Sequence, residues 1–111
     1  MYRQGRSTAN RHLVLYAFPN ASVERPRIGL SVSRKVGGAV QRNKVKRLLR
    51  EAFNEAESDL APGHDLVVVA RPDSLELAER EGLAGISTAL RDLIGRAGLS
   101  APVSAAAEAK S

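Results

Sequence analysis

The sequence contains no cysteine and no tryptophan. The first absence excludes a disulfide framework and thiolate metal sites. His12 and His64 are the only imidazoles and lie far apart in the chain, so no structural metal is expected. There is no run of about 18 apolar residues to span a bilayer, and the stretch from Met1 to Arg6 lacks the apolar core of a secretory signal. A cytoplasmic protein is the expectation. Only four aromatics occur, Tyr2, Tyr16, Phe18 and Phe53, too few for a sheet that binds RNA mainly by ring stacking. Acid is scarce in one half alone: residues 1–50 hold twelve Lys and Arg against Glu24, and the remainder holds five against eleven acids.

Such segregation gives a small protein one strongly positive face, which suits a polyanion. The plainer alternative is a solvated basic surface. Membrane-surface binding fits less well, because no stretch pairs a basic face with bulky apolar anchors. At 111 residues the chain has room for one domain, read here as residues 1–99, followed by a low-complexity tail over 100–111 that is expected to be disordered.

Two strands are predicted over His12–Phe18 and Arg27–Ser33, joined by a Pro, Asn and Ser linker, with a meander as the simplest pairing. Beyond Gly37 and Gly38, apolar residues recur at Val45, Leu48, Leu49, Ala52, Phe53 and Ala56, which predicts a helix over 39–58. Leu66 to Val69 is a continuous apolar run, expected as a central strand buried on both faces over Asp65–Ala70. A second helix follows Pro72, with Leu83, Ile86, Leu90, Leu93 and Ile94 on its apolar side. This order describes an α+β or α/β sandwich of helices on a small sheet.

The first helix carries the chemistry. At 100° per residue, Arg42, Asn43, Lys46, Arg47 and Arg50 fall on one arc beside the apolar one, and Glu51 and Glu55 fall outside it. Nine bases and no acid occur from Arg25 to Arg50, so self-repulsion is tolerated where a solvated helix would interleave its charges. Arg42 and Lys44 also sit near the positive end of the helix dipole, a cost that makes sense if a phosphate is drawn to the same spot. Asn43 is either a directional contact among these charges or a simple cap. The Gly37-Gly38 turn is no nucleotide-hydrolysing loop, since Ala39-Val40 follows it instead of Lys-Ser or Lys-Thr. The acids lack metal-binding spacing and His64 reads as a loop residue, so no protein-borne active site is expected.

The stretch from Arg27-Ile28-Gly29-Leu30-Ser31-Val32-Ser33-Arg34-Lys35-Val36-Gly37 through Ala39-Val40-Gln41-Arg42-Asn43-Lys44-Val45-Lys46-Arg47-Leu48-Leu49-Arg50-Glu51-Ala52-Phe53 resembles the bacterial ribonuclease P protein family. Similarity also lies in Ala9-Asn10-Arg11, Leu13 to Tyr16, and Asp65 to Pro72. The resemblance implies an α+β fold with a small mixed sheet and a left-handed βαβ crossover, against the usual right-handed rule. It implies a protein that binds no cofactor itself and joins a large RNA, which uses magnesium to cleave the 5′ leader from precursor tRNA. RNA contacts carry over to Arg42, Asn43, Lys46, Arg47 and Arg50, with Lys44 in place of the family's second arginine; its charge is kept and its forked donation lost. A leader-binding cleft maps to Tyr2, Tyr16, Ser31, Ser33, Arg34, Lys35 and Arg71, although plain packing is an equal reading of Tyr16. Family members usually begin with a further N-terminal arm and helix; either a naturally short chain or an upstream start accounts for its absence here. The competing class is a general RNA-binding or ribosome-associated module, which the basic helix alone would equally suit.

Overall fold

The computed structural model describes residues 6–20, 27–61 and 63–99, so Tyr2 and the tail over 100–111 lie outside the described residues. Four strands, β1 (Arg6–Ala9), β2 (Leu13–Pro19), β3 (Arg27–Val32) and β4 (His64–Ala70), form one sheet in the order β1-β2-β4-β3. Helices α1 (Ala39–Ala56) and α2 (Asp73–Arg96) complete the fold, with a 3-10 turn at Glu57–Asp59.

The meander is not formed. β2 and β3 do not pair with each other; β4 lies between them, antiparallel to β2 with Leu15 opposite Val68 and parallel to β3 with Leu30 opposite Val68. The apolar run of β4 is what both neighbours need, so the later strand displaces the hairpin that sequence proximity favours. Its central position is as expected. Its burial on both faces is not, because Leu66, Val68 and Ala70 are buried whereas Val67 and Val69 are only half-buried.

Alternation in the strands explains this one-sided burial. Leu13, Leu15 and Ala17 of β2 register with Ala70, Val68 and Leu66 of β4, and these with Val32, Leu30 and Ile28 of β3. Both helices cover that face, α1 over β3 and α2 over β2, and the two pack side by side through Val45, Leu49, Ala52, Ile86, Leu90 and Leu93. The other face of the sheet carries no helix among the described residues. β1 escaped the sequence reading because Arg6-Ser7-Thr8-Ala9 is short, polar and at the edge, where little apolar patterning is required.

Two devices fix the ends. Asn10 closes the β1–β2 hairpin by accepting from the backbone N–H of His12 (3.0 Å) and Leu13 (2.9 Å), while its amide donates to Ala89 O (3.0 Å) and so ties the hairpin to α2. At the end of α2, Gly98 lies at φ 73° and the N–H groups of Gly98 and Leu99 turn back to Gly95 O and Ile94 O, a Schellman cap that seats Leu99 in the core.

At the far end of the sheet, Arg27 donates through Nε to Asp65 Oδ1 (2.9 Å) and through Nη2 to Oδ2 (3.1 Å), and Asn20 donates to the same Oδ2 (2.9 Å). These donors lower the Asp65 carboxyl from 3.8 to about 2, the Arg27 hydrogen bonds acting most strongly. A lowered folded-state value means that the stabilisation is present above about pH 4 and fades as pH falls toward about 2. Replacing Asp65 by Asn is therefore expected to lower the melting temperature near neutrality and to flatten its fall between about pH 4 and pH 2, as thermal unfolding across that range measures.

Candidate nucleic-acid interface

Helix α1 begins without an acid in its first turn, and its N-terminus is closed by Gln41, whose Oε1 accepts the Gly38 N–H at 2.6 Å. Helix geometry leaves the N–H groups of Ala39, Val40 and Gln41 without intrahelical partners. The buried side, Val45, Leu48, Leu49, Ala52, Phe53 and Ala56, fixes the orientation of the rest. Asn43, Arg47 and Arg50 are exposed on the outer side; Arg42 and Lys46 are half-buried along one flank. Glu55, on the other flank, accepts from Ser87 Oγ (3.4 Å) and its carbonyl accepts from Arg91 (3.2 Å), which shows that this flank faces α2. Lys44 lies about 160° around the helix from Lys46, on the α2 side. The six positions therefore form one outer stripe plus a separate Lys44.

Partners divide the cations sharply. Arg6, Arg11, Arg27, Arg71, Arg80, Arg91 and Arg96 each donate to a carbonyl or carboxylate of the protein. The side chains of Arg34, Lys35, Arg42, Lys44, Lys46, Arg47 and Arg50 make no hydrogen bond or ion pair with any described residue. Arg42 is the extreme case: its Nε is fully enclosed and lacks a partner. Seven cations without internal partners, all between positions 34 and 50, concentrate positive potential that the fold does not use.

The sheet places the remaining candidates. Val32 of β3 registers with Ala70 of β4, so the exposed Arg34 and Lys35 of the turn after β3 leave the sheet at the same end as Arg71. Arg71 is partly engaged, donating to Asn10 O at 3.4 Å. Tyr16 and Ser31 both project from the uncovered face, Tyr16 in a row with Ser7, Val67 and Gly29, and Ser31 in the next row with Ala9, Val14 and Val69. Its cross-strand neighbours Ser7 and Val67 leave Tyr16 39% exposed, and Gly29 beyond Val67 adds no side chain to the row. Ser33, just past the strand, accepts the Lys35 N–H at 3.3 Å and shapes the basic turn. Phe18, 42% exposed two residues beyond Tyr16 on the same face, was missed, although i, i+2 spacing in a strand would have found it. Tyr2 lies outside the described residues.

An α+β protein whose basic helix, without internal partners for its cations among the described residues, adjoins an uncovered sheet face has the surface of a polyanion-binding protein. Comparison with known proteins narrows this. A sequence model of the family Ribonuclease P matches residues 1–97. The ribonuclease P protein component of Shouchella clausii is 42% identical over 103 residues, 93% of this chain and 81% of that protein. Its counterpart in Exiguobacterium sibiricum is 40% identical over 99 residues, 89% and 82% of the two chains. The solved RNase P protein of Staphylococcus aureus superposes with a TM-score of 0.75 at 35% identity, covering 86% of this chain and 83% of that one. That of Thermotoga maritima gives 0.75 at 33% identity, with 84% of each chain covered. The chain belongs to the ribonuclease P protein family, whose members are the protein subunit of an endoribonuclease in which RNA performs the cleavage.

Proposed function

We propose that α1 docks the ribonuclease P RNA through Arg42, Asn43, Lys46, Arg47 and Arg50, and that the uncovered sheet face receives the 5′ leader of precursor tRNA. The observation that carries this reading is the concentration of partnerless cations between Arg34 and Arg50. Unpaired Arg and Lys bind phosphate at no cost of breaking internal ion pairs, and Arg adds forked donation. Lys44, about 60° around the helix from Arg47 on the α2 side, adds charge at the edge of the outer stripe. Arg34, Lys35 and Arg71 gather at one end of the sheet, where they meet a backbone passing over Ser31 and Ser33. Tyr16 offers a ring for a leader base.

The described residues contain no group of three or more His, Asp or Glu arranged to hold a metal. We assign the magnesium that the family implies to the RNA. No described helix is long and apolar enough to cross a membrane, and we assign the protein to the cytoplasm together with its RNA partner.

Sequencing the RNA that co-purifies with the chain tests the docking partner: ribonuclease P RNA should dominate, and a mixed population would favour a general RNA-binding module. The leader site has its own test in the reconstituted complex. Replacing Tyr16 by Ala removes one stacking contact, worth about 1–3 kcal/mol, so preference for leader-bearing over mature tRNA should fall by roughly ten-fold. Tyr16→Phe should retain most of it. Equal losses for both tRNAs would assign Tyr16 to packing.

A further inference from the structure

The outermost face of α1 carries one side chain out of keeping with its neighbours. Val40 is 84% exposed, twice the exposure of Tyr16 or Phe18. It lies in the first turn of the helix, about 150° from the centre of the buried arc, and shares its face with Asn43, Lys44 and Arg47 at i+3, i+4 and i+7. Neither cation in that set has an internal partner. A valine here does nothing for the free protein. Its branched side chain is a weaker helix former than Ala, Lys or Arg, and its methyl groups remain in water.

We propose that Val40 is an apolar contact of the docking helix, seating its methyl groups against a ribose or an unpaired base of the RNA subunit while Asn43 and Arg47 engage neighbouring phosphates. This rests on the reading of α1 as the RNA-docking helix. Charge selects the occupant. A lipid surface or an apolar protein face that covered Val40 would desolvate Lys44 and Arg47 with it, at high cost for unpaired cations. A polyanion neutralises both and offers sugar and base surface between its phosphates.

The contact has a signature that separates it from the charges around it. Ionic contacts release counterions and weaken with salt, whereas an apolar contact contributes equally at every salt concentration. Binding of the full chain to its cognate RNA subunit across a salt series is the test, with Val40→Ala and the isosteric Val40→Thr as variants. Each should give a line of log affinity against log salt parallel to that of the unmodified protein and lower by about three- to ten-fold. The melting temperature of Val40→Ala should hold or rise, since Ala is the better helix former, so weaker binding cannot come from unfolding. Lines that coincide with the unmodified protein, or that change in slope, overturn the proposal. Lys46→Ala and Arg47→Ala, measured alongside, keep its failure distinct from that of the docking reading. If they leave the slope unchanged, the docking helix is misassigned; if they flatten it while the Val40 variants stay on the original line, only the Val40 contact is overturned.

Discussion

Replacing Lys46 and Arg50 by Ala together with Arg42 by Met is expected to make the salt dependence of RNA binding shallower by about 2 to 3 units in a log–log plot. Each phosphate neutralised by a cation contributes roughly 0.7 to 0.9 to that slope. The three residues lie at i, i+4 and i+8, and none has an acid to return to when the RNA leaves. A two-unit change means that a ten-fold drop in salt recovers about a hundred-fold less affinity than before, which is well outside measurement error. Folding should be little affected. The three charges repel one another in the free protein, and Met at position 42 keeps the stem that the enclosed Nε shows to lie against the protein. The melting temperature of the triple variant should stay within about 3 °C of the original or rise. An unchanged slope would move the docking surface off α1.

A large loss of stability, with the opposite sign to the usual rule, is expected at two glycines of α2. Ala for Gly in a helix interior ordinarily stabilises by up to about 1 kcal/mol. Gly82 breaks α2 at φ 62°, ψ −143°, a region that side chains reach only under strain, so Gly82→Ala should cost about 1–3 kcal/mol. The break brings Leu77 and Glu81 onto the buried Gly85, where a Cβ would stand 2.9 Å from Leu77 Cδ1 and 2.7 Å from Glu81 Cβ. Gly85→Ala should cost a similar amount by overpacking. Each should lower the melting temperature by roughly 10 °C. Gly95 supplies the control. Its added Cβ meets nothing within 4 Å and its φ is ordinary, so Gly95→Ala should raise the melting temperature. A rise at all three positions would show that α2 is unbroken in solution.

The limits of sequence reading follow from particular residues. The α1 arc was legible because helical period fixes angles once the buried residues are known, and Val45, Leu49, Ala52 and Phe53 are unambiguous. The same arithmetic separates Lys44 from the stripe, yet only the contacts of Glu55 show that its flank faces α2. The uncovered sheet face was not legible from the strands themselves. In β2, Leu13, Leu15 and Ala17 alternate with Val14, Tyr16 and Phe18, so both faces look apolar and no polarity contrast says which one the helices cover. Tyr16 and Ser31 therefore entered through family resemblance. Strand pairing failed for a related reason: the linker between β2 and β3 reads as a hairpin turn, and nothing near it signals that a strand some forty residues on takes the place between them. The break at Gly82 was hidden because one non-helical residue leaves apolar spacing intact on either side.

The strand order bears on the sequence of events as the chain is made. Among the described residues, β2 and β3 each find their longest partner in β4, which is synthesised after α1. Until residues 64–70 leave the ribosome, the basic half of the chain can form the β1–β2 hairpin but has no strand for β3 to join, and the cations from Arg27 to Arg50 emerge on an unassembled segment beside a ribosome made largely of RNA. Pairings this distant in sequence close late and slowly, because loop entropy must be overcome before any contact is gained. Assembly of the RNA-binding surface is thus coupled to nearly complete translation of the domain, and α2, which carries five of the twelve acidic residues, arrives last to finish the core.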